Sequence, residues 1–154
     1  LHLRMRVVIQ RVKQASVSVH GSLVSEIQKG LLILLGIEID DNQQDIDWLV
    51  AKVAKLRIFE DSKGLMNVSL QDLQAEVIVV SQFTLHASTK KGNRPSFVRA
   101  AKSEVAIPLY QGFIDGLQKQ LNKKVQTGKF GAMMDVALIN DGPVTISIDT
   151  KNKE

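Results

Sequence analysis

Apolar and polar positions change period several times along the chain, and each change marks an element. Residues 5–12 are strand-like, rich in Val and Ile. Residues 16–20, Gly21-Ser22 and residues 23–27 read as a hairpin. Lys29-Gly30 then punctuates the chain before the apolar run 31–39, which only Gly36 and Glu38 interrupt. Several strands this close together, with short connections, favour antiparallel pairing.

Beyond residue 40 the period lengthens. Ile46, Leu49, Val50, Val53 and Leu56 form a stripe at helical spacing, and the polar stretch 40–44 before it supplies an acidic start suited to the helix dipole. Asp61-Ser62-Lys63-Gly64 is a turn signal, and the β-branched run Val77-Ile78-Val79-Val80 makes 76–84 a buried strand. A second helix is expected within 103–121, with Pro108 near its first turn or bending it. Residues 123–127, 133–139 and 144–149 complete the strands. Strands and helices do not alternate regularly, so the pattern points to an α+β fold, a mostly antiparallel β-sheet or barrel with two main helices.

Composition narrows the class. A chain of 154 residues with 44% hydrophobic content suits one core, taken as a single domain over residues 5–150 with a tail at 151–154. Residues 1–4 are expected to precede a native start at Met5. No run approaches the ~20 apolar residues of a membrane span. Zero cysteines exclude disulfides and thiolate chemistry, and with no secretory pattern the expected compartment is cytoplasmic. A net charge of +4 suits a polyanionic partner, and Lys90, Lys91, Arg94 and Arg99 cluster beside Gly92 and Pro95 in a basic loop. The alternative for that loop is an ordinary solvated surface.

Familiar catalytic constellations are missing. His2, His20 and His86 are the only imidazoles, none paired at a metal-ligand spacing, and the chain has no phosphate loop, GxGxxG or GxSxG. His86, just beyond the first segment below, is a candidate base, but a lone histidine there is expected to be exposed polar surface. Two polar segments interrupt apolar strands instead. At Ser81-Gln82-Phe83-Thr84 a buried strand ends in hydroxyl, amide and aromatic groups, where rigid backbone can aim donors at a ligand. At Asn140-Asp141-Gly142-Pro143-Val144-Thr145 a turn separates two strands, by itself a hairpin connection.

Together these two segments resemble the signature motifs of the D-aminoacyl-tRNA deacylases. The resemblance also takes in residues 5–12, Gly64-Leu65-Met66-Asn67, Lys91-Gly92-Asn93-Arg94-Pro95-Ser96-Phe97 and Thr127-Gly128-Lys129-Phe130-Gly131-Ala132, so it spans nearly the whole chain after Met5. Ser103 departs from the proline of many relatives, at a helix start away from the site.

The resemblance implies hydrolysis of the ester of D-aminoacyl-tRNA, with glycyl-tRNA able to pass the same filter, and needs no cofactor or metal. It implies a homodimer in which a cis Gly142-Pro143 enters the partner's pocket and its carbonyls leave no room for an L side chain. Ser81, Gln82, Phe83 and Thr84 would form the catalytic half, with amides around Gln82 and Phe83, and Ser81 Oγ, stabilising the oxyanion. Thr84 is a candidate nucleophile, but the motif offers it no base. Attack by water, assisted by the ribose hydroxyl beside the ester, is the favoured route. Phe130 and Met134 would wall the terminal adenosine of the acceptor end, their alternative being core packing. Arg11, with Asn140 and Thr145, would brace the Gly-Pro segment, the alternative for Arg11 being a plain surface position. Rival readings are a nucleic-acid-binding module gripping phosphates through Lys90, Lys91, Arg94 and Lys102, and an esterase acting on free aminoacyl esters.

Overall fold

The computed structural model describes residues 5–153. The extension at 1–4, with His2, and the last residue of the tail lie outside the described residues.

Strand β1 (Arg6–Val19) is the centre of the sheet. It pairs antiparallel with β2 (Ser22–Ile27), β3 (Gly30–Gly36) and the long β8 (Asp135–Asp149). Strand β3 continues in parallel to β6 (Glu76–Ser81), and β6 to the short β7 (Gln126–Thr127). The order is β2-β1-β3-β6-β7, with β8 on β1, and β7 curls back toward β2 so that the sheet nearly closes as a barrel. A separate ribbon joins β4 (Phe59–Glu60) to β5 (Met66–Val68).

The capping box of Asn42 and Asp45 starts helix α1 (Gln43–Lys55), which buries Ile46, Leu49, Val50 and Val53. Leu56, expected in the helical stripe, is instead its extended C-cap. A single turn, α2 (Leu70–Leu73), precedes β6. Helix α3 (Ser103–Leu121) buries Ala106, Tyr110, Phe113, Ile114, Leu117 and Leu121 along one face. Pro108 lies in its second turn on the exposed side, and the helix runs through it.

Burial explains the continuous apolar runs of β3 and β6. Leu31, Ile33, Leu35, Val77 and Val79 pack toward α1 and α3, while Leu32, Ile78 and Val80 join Val12, Ala15, Val17 and Ile27 in a second cluster inside the barrel. Both faces are covered, as parallel pairs require.

Two expectations need correction. Residues 5–12 and 16–20 are one strand, because the polar Lys13 and Gln14 mark irregularities in the β1–β8 pairing, between Gln10 and Val12 and between Val12 and Gln14, rather than a break. Likewise 133–139 and 144–149 are one strand, and the segment between them is no hairpin. Val12 opposes Asn140 and Gln10 opposes Thr145, so residues 141–144 bulge outward opposite Arg11 while the strand keeps its direction.

Candidate active site

Strand β6 ends at Ser81, not at 84. The Gln82 N–H still donates to Leu35 O (2.8 Å), and the chain then tightens into a 3₁₀ turn, Phe83–His86, closed by Leu85 N–H to Gln82 O (3.2 Å). This corrects one expectation, since the Gln82 amide is committed to the sheet and unavailable to an oxyanion. The amides of Phe83 and Thr84 head the turn, where the first N–H groups have no acceptor within the helix. Gly36 makes the tight turn possible. A Cβ there would sit 2.9 Å from Leu85 Cβ and 3.0 Å from Gln82 O.

Ser81, Gln82, Phe83 and Thr84 open onto a cavity of about 470 Å³. Leu35, Ile37, Val80, Ala101 and Ala106 form its apolar back, and Phe130, Met133, Met134 and Val136 its other wall. Phe130 leans on Tyr110 at 5.6 Å and 60°, and Tyr110 in turn donates to Val79 O (2.9 Å). Burial pushes the Tyr110 hydroxyl up to about 12, so it acts as a fixed donor. Met134 Sδ fills the space that a side chain at Gly128 would need, 2.6 Å from where its Cβ would lie. Phe130 and Met134 are therefore partly packed against the core and partly lining the cavity.

The Gln82 side-chain amide donates to Thr84 Oγ1. An amide cannot take a proton, and neither a carboxylate nor an imidazole bonds Thr84 among the described residues. His86, expected at the surface, is buried behind the turn, with Nδ1 4.0 Å from Glu38 Oε2. Burial lowers its pKa and the Arg6 charge adds to this, against the opposing pull of a bond to Gly36, Glu38 and Asp149. Glu38 is itself held by Arg99 at 2.6 and 2.9 Å. Sequence reasoning passed over Glu38, although a lone charge in an apolar run signals a buried partner.

The remaining residues gather elsewhere. Gly142-Pro143 is cis and exposed at the crest of the bulge in β8. Gly142 has φ 148°, and a Cβ there would lie 2.8 Å from Val144 N, so only glycine fits. Asn140 Oδ1 accepts from Val144 N–H (2.7 Å), and its Nδ2 donates to Val144 O, Gln10 Oε1 and Thr145 Oγ1. Arg11 is buried rather than on the surface, donating from Nε to Asp141 O (2.9 Å) and from Nη1 to Ile58 O (2.7 Å). None of these five residues lines the cavity of its own chain.

The family model described as D-Tyr-tRNA(Tyr) deacylase matches residues 8–149. The chain belongs to the D-Tyr-tRNA(Tyr) deacylase family. Within this deacylase family, a D-aminoacyl-tRNA deacylase of Flavobacterium psychrophilum is 65% identical over 150 residues, covering 97% of this chain and all of the relative, and one of Bacteroides fragilis is 60% identical over the same span. A solved structure described as c-Myc DNA Unwinding Element Binding Protein shares 43% identity at a TM-score of 0.88, covering 93% of this chain and 97% of that one. A probable eukaryotic D-amino acid tRNA deacylase, 17% identical, matches with a TM-score of 0.84 over 96% of the chain and supports the deacylase fold alone. No helix among the described residues is long and apolar enough to cross a membrane.

Proposed function

We propose that the protein hydrolyses the ester of D-aminoacyl-tRNA, releasing free D-amino acid and tRNA in the cytoplasm, and that it works as a homodimer. The observation that carries this reading is the strand end Ser81–Thr84 opening, beside the head of a 3₁₀ turn, onto an apolar cavity in a chain of this family.

In this mechanism the terminal adenosine lies against Phe130 and Met134, and the ester carbonyl points at the Phe83 amide. Water attacks the carbonyl carbon with help from the neighbouring ribose hydroxyl, and the Phe83 N–H, with the Ser81 hydroxyl, holds the oxyanion. Collapse breaks the bond to the ribose oxygen, which takes a proton as the carboxylic acid leaves. Thr84 serves through the Gln82 contact and forms no covalent bond.

Handedness needs the second half of the site. Gly142-Pro143 stands exposed and braced by Arg11, yet lies away from its own cavity, and this suits insertion into a partner. There its carbonyls meet the substrate's α-amino group and fill the space an L side chain would need. Glycyl-tRNA has no side chain to exclude and is a substrate as well.

A deacylation assay on matched D- and L-aminoacyl-tRNA tests the reading. Release from the D form only is expected, and equal rates would remove the chiral mechanism. Binding without release would favour the nucleic-acid-binding reading, in line with the name of the 43% identical c-Myc DNA Unwinding Element Binding Protein. Mixing an inactive Phe83→Pro protomer with an inactive Gly142→Val protomer should restore part of the activity, because each mixed dimer has one intact composite site. No recovery under conditions of subunit exchange would exclude cross-subunit assembly.

A further inference from the structure

Residues 88–100 leave the 3₁₀ turn at one wall of the cavity and return to another at Ala101. Ser88 and Ser96 bridge the segment through two backbone bonds of 2.8 and 2.9 Å. Lys90, Lys91 and Arg94 lie on the tip beyond that bridge, all exposed, and none is in an ion pair among the described residues.

Arg99 differs from these three. Its Nε and Nη2 both donate to Oε1 of the buried Glu38, while Arg99 O accepts from Ile39 N–H (3.2 Å) and Ala101 N–H donates to Ile37 O (2.9 Å). Phe97 sets its ring edge to Phe83 at 5.1 Å and 76°. The returning limb is therefore tied to the cavity by an ion pair to the buried Glu38, backbone bonds and a ring contact. Lys90 and Arg94, each two residues from the bridge, reach at most about 7 Å from it along an extended chain.

We propose that this tip is a phosphate subsite, in which Lys90, Lys91 and Arg94 take the sugar–phosphate backbone of the last unpaired nucleotides of the RNA, and that the Glu38–Arg99 ion pair positions them. The inference rests on the proposed ester hydrolysis. An ester at the 3′ end fills the cavity while its nucleotides trail past the rim, so their phosphates run beside the tip. Cations there gain affinity through counterion release, and the effect appears in binding rather than in the chemical step. Arg99 itself is consumed by Glu38 and binds no phosphate.

The test is steady-state hydrolysis of D-aminoacyl-tRNA by the full chain across a salt series. Three contacts to a single strand contribute roughly 0.7 each to the slope of log KM against log salt, so changing Lys90, Lys91 and Arg94 together to Gln should lower that slope by about 2. kcat should stay within about twofold. Changing Lys63, Lys119 and Lys124 to Gln removes the same charge elsewhere and should leave the slope alone. Arg99→Gln should raise KM more than kcat falls, and Arg99→Lys should restore most of the loss. Uncharged tRNA should compete, and polyglutamate should not.

An unchanged slope in the tip variant, an equal fall in the control variant, or equal competition by polyglutamate would overturn the subsite. A loss confined to kcat in Arg99→Gln would overturn the positioning role. If the unaltered protein released no amino acid, the hydrolase reading would fail instead, and the salt slope of uncharged-tRNA binding would still decide the subsite.

Discussion

Arg11 Nε donates to the main-chain oxygen of Asp141 at 2.9 Å, one residue ahead of the cis Gly142-Pro143 peptide. The same guanidinium donates to Ile58 O, so one side chain ties the bulge in β8 to the start of the β4–β5 ribbon. Arg11→Leu orphans both carbonyls, at about 1–3 kcal/mol for each one left buried. Arg11→Lys keeps the charge but loses the rigid fork and should fall between the two. Urea midpoints read together with deacylation rates check this, and a Leu variant as stable and active as the parent would remove the brace.

Gly36 lies under the strand end at Ser81–Thr84. Gly36→Ala places a methyl 2.9 Å from Leu85 Cβ and 3.0 Å from Gln82 O, so the 3₁₀ turn must shift. A displacement near 1 Å costs roughly 100-fold in rate. The expected result is a folded protein by circular dichroism with kcat lowered by about that factor, and an unimpaired kcat would mean that the turn does not place the reacting groups.

Tyr110→Phe tests the support behind Phe130. Val79 O accepts from Tyr110 and also from Gly128 N–H at 3.1 Å, so removing the hydroxyl leaves the carbonyl with a partner. The loss should be about 1 kcal/mol, the net value of one ordinary hydrogen bond. A loss several times larger in thermal or urea unfolding would show that Gly128 cannot hold that carbonyl alone.

His86 makes stability depend on pH. Burial lowers its folded pKa below the ordinary value of 6.5, so between the two values the unfolded chain binds more protons. The contribution is complete above pH 6.5 and is lost as pH falls toward the lowered value. Arg6 from β1 reinforces the shift, while Glu38 and Asp149 oppose it. His86→Gln should flatten the fall of Tm as pH drops below 6.5. An identical pH profile for the variant would assign the fall to other groups.

The sequence made the hairpin of β1 and β2 legible because Gly21 marks the turn between two β-rich runs, although the turn proper is His20-Gly21 and Ser22 already belongs to β2. It made α1 and α3 legible because their apolar stripes keep one period. It misled at Asn140–Thr145, where Asn, Asp, Gly and Pro carry every local sign of a chain reversal. What prevents the reversal is nonlocal, since β1 continues opposite and re-registers at Gln10 and Thr145. The ribbon of β4 and β5 and the turn of α2 escaped notice because two- to four-residue elements hold no period to detect. At the cavity, the hydroxyl, amide and aromatic groups of Ser81–Thr84 stood out by their chemistry. Ile37, Ala101 and Ala106 did not, because an apolar side chain facing a cavity reads the same as one facing the core.

The placement of β1 also governs how the molecule can come apart. One half of this strand packs Val7 and Ile9 beneath the helices, and the other half packs Val12, Ala15 and Val17 inside the barrel. Like a zip shared by two garments, it cannot be drawn out of one layer without opening the other. Because β1 belongs to both layers, a mutation that loosens either one is expected to weaken the other as well.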